Sequence, residues 1–456
     1  MAPQTSPTFR DPAGSLVLED HRAIRRINPS AHEATLEFLG SQFYQHAVER
    51  GDIVGTEIER SDAGLSLIHP RIAIPTYPWE WTPSQWRAAA TLTIRLCQES
   101  LEDGWILKDA TPLNILFVGS RPILVDVLSF VRRDPNSPIW LAHGQFIRTF
   151  LLPLVMLRLA GWPLELSFFK RDGYEPHEIY RSLSWSQRLS RSALWPISIP
   201  TWFDRKGGSR GLTEASYRPE PETAQHILNR TLANLLKRTR SAVTSGSASN
   251  WSDYQTTLTH YTHYDTEQKR LWVQQVLTES RPATVLDVGA NTGDYSRLAA
   301  ESGAQVVALE RDSIAADHLY RSTAEAGLPI QTIQADIARP TPAAGWDTSE
   351  SAGLLPRLEG NFELVMLLAV IHHFILMEQI PLRAIVSLCH RLTRRYLVVE
   401  WVPATDPMYQ SLMRGRDELY GALTDADLLA ASEDNFCVIR REVLGNGRIL
   451  FLFEKK

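Results

Sequence analysis

What this 456-residue chain has little of narrows its class first. Its three cysteines, Cys97, Cys389 and Cys437, lie far apart with no metal-ligand or disulfide spacing. That excludes a zinc module and a cystine-stapled fold, leaves no expected metal ligand, and fits a reducing, cytoplasmic compartment. Net charge is only −5 and no basic tail is present, so no nucleic-acid partner is expected. The N-terminal MAPQTSPTFRDPAGS has neither a basic n-region nor an apolar h-region, and no secretion signal is expected. The most apolar window, FIRTFLLPLVMLRLAGWPLELSFF, is broken by Arg148, Pro153 and Arg158. It predicts a buried helical hairpin, and no membrane span. No internal repeat is visible, and no lysine precedes Lys108.

What is present is ordinary globular material, 44% apolar and 22% charged, enough for two large domains. The clearest compositional break is KRTRSAVTSGSASNWSD, Lys237 to Asp253, which reads as a linker or exposed loop and divides the chain into 1–245 and 246–456. WPISIPTWFDRKGGSRG, Trp195 to Gly211, reads as a second loop-rich stretch. The first part is mostly helical: AHEATLEFLGSQFYQHAVER, TPSQWRAAATLTIRLCQESLEDG and the stretch from Gln145 to Phe169. Its strands are short, mostly between Ile53 and Ile74 and between Ile115 and Val127. An α+β domain is expected. IPTYPWEWTPSQW crowds three tryptophans and a tyrosine between prolines, which reads as a packed hinge with Thr82 as N-cap and Pro83 in the first helical turn, or as a planar-ligand lining.

The second part alternates continuous apolar runs (ATVLDVGA, QVVALERD, IQTIQAD, FELVMLLAV, RYLVVEWV) with helical ones. That is the mark of a doubly wound parallel α/β sheet, Rossmann-like. FCVIRREVLGNGRILFLFEKK adds an antiparallel edge hairpin around GNG. In VLDVGANTGDYS a buried strand ends at Asp287 and a glycine turn leads into a helix, whose first N–H groups face any ligand bound there. Gly289 and Gly293 permit the turn and a close ligand approach. Glu310 follows Gly293 by seventeen residues, at the end of the second strand, where a carboxylate can accept both hydroxyls of a ribose. Asp336 ends the third and can accept from an exocyclic amine, with Ile337 against a base.

The order of glycine turn, ribose acid and base acid resembles the class I S-adenosylmethionine-dependent methyltransferases, over about Tyr264 to Lys456. The resemblance implies S-adenosyl-L-methionine as cofactor, with Asp287, Gly289, Asn291 and Gly293 around the methionine part, Glu310 at the ribose and Asp336 at the adenine. Ala290, Tyr295, Arg311, Ile337 and Ala369 complete the expected cofactor set. The middle glycine of the family's GxGxG is Asn291 here, a residue that accepts left-handed angles better than other non-glycines. An NAD-type fold needs GxGxxG and a second mononucleotide half, and this chain has neither.

No Asn-Pro-Pro-Tyr type motif or Pro-Cys nucleophile follows the fourth strand, which argues against methylation of a flipped base. His372 and His373 stand there instead as candidate general bases, and Glu400, at the next strand end, as an orienting group. The expected acceptor is a hydroxyl, or an amine, of a small metabolite or glycan. The insertion from Ala338 to Gly360, with Trp346, suits a wall over the acceptor pocket or a surface loop; His260 to Arg270 is expected to cover the cofactor.

WILKDATPLNILFVGSRPILVDVLSF sets Asp109, Asn114 and Asp126 at intervals similar to the catalytic segment of protein-kinase-like and aminoglycoside-phosphotransferase-like folds, over about Thr91 to Phe130. Leu107 replaces the usual histidine, no Gly-rich loop lies upstream, and the phosphate-gripping lysine is missing. An arginine (Arg25, Arg26 or Arg60) would have to replace it. A degenerate kinase-like domain that holds substrate is expected, or an unrelated helical domain in which Asp109 and Asn114 make loop and turn hydrogen bonds and Asp126 ends a strand, with a bifunctional kinase-methyltransferase and a binding scaffold with a vestigial cofactor pocket as alternatives.

Overall fold

The computed structural model describes residues 4–6, 11–62, 64–205, 218–242, 263–413 and 415–456. Contacts divide the chain into two units, Met1–Ser245 with Ala344–Ser351, and Gly246–Ala343 with Ala352–Lys456. The junction at 243–262 lies outside the described residues.

The first unit opens with an antiparallel sheet of β1 (Gln4–Ser6), β2 (Gly14–Leu18), β3 (Arg22–Ile27), β4 (Glu57–Ser61) and β5 (Gly64–Pro70), in the order β1-β2-β3-β5-β4. Strands β2 and β3 fall outside the region where strands were expected. GSLVL and RAIRRI lack a clean in-out alternation, and their pairing to each other and to β5 is what holds them. Helices α1 (His32–Leu39) and α2 (Gln42–Glu49) follow β3. Helix α3 (Pro83–Ser100) begins as the sequence indicates: the Thr82 hydroxyl accepts from Gln85 N, the Gln85 side chain returns to Thr82 N, and Pro83 occupies the first turn. The aromatic crowd before it is packed core. Trp81 and Trp86 are buried, their indole N–H groups donating to Thr76 Oγ1 (3.1 Å) and the Phe150 carbonyl (3.0 Å).

Strand β6 (Trp105–Leu107) pairs with β9 (Phe130–Arg132), and between them lies the expected hairpin, β7 (Ile115–Val118) with β8 (Arg121–Leu124). The apolar window is one continuous helical run rather than a hairpin. His143–Phe146 passes through a π-turn, Ile147–Leu151, into α4 (Leu152–Ala160), and the wide turn precedes Pro153, which cannot donate. Gly161 ends it at φ 66°, and only a short 3₁₀ turn, Leu164–Phe168, follows. No helix among the described residues is long and apolar enough to cross a membrane. Two loop expectations are also corrected. Ile199–Arg205 is helical, and Lys237 to Ala242 is the last turn of α5 (Pro221–Ala242), whose Leu228, Leu232 and Leu235 are buried at helical spacing.

The second unit is a seven-stranded sheet flanked by helices. Its elements are α6 (His263–Ser280), β10 (Thr284–Val288), α7 (Asp294–Glu301), β11 (Gln305–Glu310), α8 (Ser313–Glu325), β12 (Ile330–Gln334), β13 (Phe362–Leu367), α9 (Ile371–Leu376), α10 (Leu382–Leu392), β14 (Thr393–Trp401), β15 (Phe436–Val443) and β16 (Ile449–Lys455). The order is β12-β11-β10-β13-β14-β16-β15, parallel except for the final hairpin. The interior strands are buried on both faces, which is why they read as unbroken apolar runs. Order reverses between β10 and β13, so their carboxyl ends splay apart and leave a crevice.

Candidate active site

A cavity of about 480 Å³ fills that crevice, lined from the ends of β10, β11, β12 and β13 and from α6. The glycine turn after β10 shapes one wall. Gly289 (φ 72°) and Asn291 (φ 50°) both take left-handed angles, as does Ala369 (φ 56°) across the cavity. A side chain at Gly289 would meet Val370 Cγ2 at 2.5 Å, so the turn closes directly against the β13 loop. Gly293 caps α7 at φ 92° but does not line the cavity; a Cβ there would meet Leu319 Cδ1 of α8 at 2.1 Å. Gly293 thus packs against α8 at this turn.

Of the other expected cofactor residues, Asp287, Ala290, Asn291, Tyr295, Glu310, Arg311, Asp336, Ile337 and Ala369 all line the cavity together with Gly289. Glu310 is fixed by its own turn: Oε2 accepts from Asn291 N (2.8 Å) and Oε1 from Asp312 N (2.7 Å). Burial pushes its carboxyl up, against those two backbone donors. Each oxygen keeps a further lone pair for a ligand hydroxyl. Asp287 is fully buried, its Oδ2 accepting from Ser296 Oγ at 2.6 Å, and burial pushes its carboxyl up to about 6. Asp336 lies at the rim with Arg311 at 3.5 Å, and Arg311 and Arg339 both reach Glu378, another lining residue.

The three catalytic candidates separate. His373 lines the cavity, and burial with Arg311 and Arg448 nearby brings its imidazole down to about 4. It is therefore neutral at physiological pH. His372 is buried behind it, ring against ring at 4.2 Å, neither nitrogen hydrogen-bonded, and does not line the cavity. Burial lowers its pKa well below the ordinary value. Glu400 is wholly buried too, between Lys269 Nζ (2.5 Å) and Arg448 Nη1 (3.1 Å), and Arg448 Nε continues to Asp406 at 2.8 Å. It holds the wall and does not touch the cavity.

Lys269 is the residue the sequence reasoning missed. Its ammonium lies 4.7 Å from the Tyr295 ring centroid, and it lines the cavity with Thr266. Both fall in the segment expected to cover the cofactor, of which 260–262 lie outside the described residues. Trp346 in the long insertion is exposed and no part of the lining; Glu350 of the same insertion pairs with Arg171 at 2.7 Å within the first unit.

Asn114 and Asp126 come together in the first unit through Ser129. Asn114 Nδ2 donates to Ser129 Oγ (2.8 Å), Ser129 Oγ donates to Asp126 Oδ2 (2.7 Å), and Arg25 Nη1 lies 3.0 Å from Asp126 Oδ1. Burial pushes the Asp109 carboxyl up, opposed by Lys108 and reinforced by Asp126 and Asp11.

In the second unit's own numbering the strand order is 3-2-1-4-5-7-6, with the last hairpin strand antiparallel: the fold of class I S-adenosylmethionine-dependent methyltransferases. No family model matches the chain. It is 25% identical over 464 residues to nodulation protein NoeA of Rhizobium meliloti (strain 1021), covering 98% of this chain and 95% of that one. Similar solved structures include magnesium protoporphyrin IX methyltransferase (ChlM) from Synechocystis PCC 6803 with bound SAH, at 16% identity, TM-score 0.33, covering 49% of this chain and 95% of that one. The bifunctional kinase-methyltransferase WbdD matches at 17% identity, TM-score 0.29, over 41% of this chain and 38% of its own. The strand order and the cavity, not these likenesses, carry the functional reading.

Proposed function

We propose that this chain is an S-adenosylmethionine-dependent methyltransferase acting on a hydroxyl, or an amine, of a small metabolite or glycan. The observation that carries it is Glu310, held by two backbone N–H groups at a strand end in the switch-point cavity, with Asp336 and Ile337 beyond it. Those groups suit a ribose followed by an aminated base. Nothing in the lining demands a phosphate, and the acid at Glu310 would repel one.

When bound, the cofactor supplies a methyl group on a sulfonium. The chain's task is alignment and exclusion of water, which contributes roughly 7–11 kcal/mol in well-oriented reactions. Gly289, Ala290 and Asn291 bring backbone to the methionine part, and the Tyr295 ring narrows the cavity beside Lys269. His373 is the one catalytic candidate with access. Held neutral, it does not repel a sulfonium and can take a proton from an acceptor hydroxyl.

Calorimetry with S-adenosylhomocysteine tests the reading: one site per chain is expected, lost or strongly weakened in Glu310→Ala. Absence of binding to the intact chain overturns it.

A further inference from the structure

The polar cluster of the first unit contains a charge that its sequence spacing does not reveal. Burial raises the proton affinity of Asp109 there, and the carboxylates of Asp126 and Asp11 add to it. Acids that raise one another's proton affinity call for a compensating cation. The structure supplies one from within the chain. Arg25 is buried (8% exposed), and its Nη1 lies 3.0 Å from Asp126 Oδ1 and 3.7 Å from Asp11 Oδ2.

Its placement is rigid. Arg25 stands on β3, the central strand, in register with Leu16 of β2 and Leu67 of β5. Leu65 and Leu67 of β5 are buried, so the strand cannot withdraw without opening the sheet. The remaining oxygen of Asp126 accepts from Ser129, which in turn is bound by Asn114. Asn114, Ser129 and Asp126 are therefore already engaged with each other and with a guanidinium.

We propose that Arg25 is a built-in cation standing in for a divalent metal, so that the first unit binds neither the free ion nor a metal–nucleotide complex. The cluster is then a metal-independent fixture, and removing the Arg25 charge converts it into a divalent-cation site.

Mn²⁺ titration of the full chain, followed by loss of the free-ion electron paramagnetic resonance signal, tests this. The intact chain is expected to leave the signal undiminished, and Mg·ATP to leave its melting temperature unmoved. Arg25→Met, and in parallel the hydrogen-bonding Arg25→Gln, are expected to take up about one Mn²⁺ per chain. Arg25→Lys, which keeps the charge, is expected to take up none, and adding Asp126→Asn to Arg25→Gln abolishes the gain. Protection of Cys97, buried in α3 of the first unit, from a thiol reagent reports whether the first unit of each variant is folded. Stoichiometric Mn²⁺ uptake by the intact chain that Asp126→Asn removes would overturn the proposal. So would a folded Arg25→Gln or Arg25→Met chain with no uptake.

Discussion

At the scale of the single residue, Glu310 and His69 make opposite demands on the solvent. Glu310 keeps a carboxylate open to a ligand while its backbone donors fix its direction. Loss of two charge-assisted hydrogen bonds predicts at least a 10–100-fold weaker S-adenosylhomocysteine Kd in Glu310→Ala, read by calorimetry. His69 is buried in the first unit; Nδ1 contacts the Gly55 carbonyl at 3.2 Å and Nε2 has no partner. Burial, with Arg25 nearby, brings its pKa down to about 4, although the Gly55 carbonyl and Asp126 act the other way. The folded chain thus refuses a proton that the unfolded chain accepts below the ordinary value near 6.5. Stability from this group is complete above pH 6.5 and falls as pH drops toward 4, by up to about 3 kcal/mol. Asp287, pushed up to about 6, contributes with the opposite sign as pH rises through that value. The urea-derived difference between the intact chain and His69→Gln isolates the histidine, and it should shrink between pH 6.5 and 4. The cavity residues were legible because each stands at a strand end in a fixed motif. Lys269 was not, because a lysine inside a mostly polar helical stretch carries no sign that its ammonium meets a glutamate on a distant strand.

At the scale of elements, the glycines at the two ends of α7 are needed in different ways. Gly293→Ala meets both a left-handed backbone (φ 92°) and Leu319 Cδ1 at 2.1 Å, and should cost about 2–4 kcal/mol in urea denaturation. Gly303→Ala shares the strained angle (φ 99°) but has open space, and should cost about 1 kcal/mol. Equal costs would mean that backbone angle alone sets the requirement. The chain of Lys269, Glu400, Arg448 and Asp406 ties α6 to β14 and β16. Arg448→Met leaves buried acids undercompensated and should cost about 3–5 kcal/mol, while the further change Glu400→Gln should recover part of it. Parallel strands were legible as apolar runs because both faces are covered. Strands β2 and β3 were not, since a half-polar strand such as RAIRRI is specified by its neighbours rather than by its own alternation.

At the scale of the whole molecule, the chain consists of two units with separate cores, and the thiols happen to sample both. Cys97 is buried in α3 and Cys389 in α10, each thiol pushed up to about 12 by burial, while Cys437 is exposed on the edge strand β15. A maleimide reagent should therefore tag Cys437 alone on the native chain, within minutes at neutral pH. The other two react only when their own helices open. The mass of the tagged chain becomes a clock with two hands, one per unit. Peptide mapping after brief exposure to intermediate denaturant would show which half loosens first, and whether S-adenosylhomocysteine slows the Cys389 hand while leaving the Cys97 hand alone.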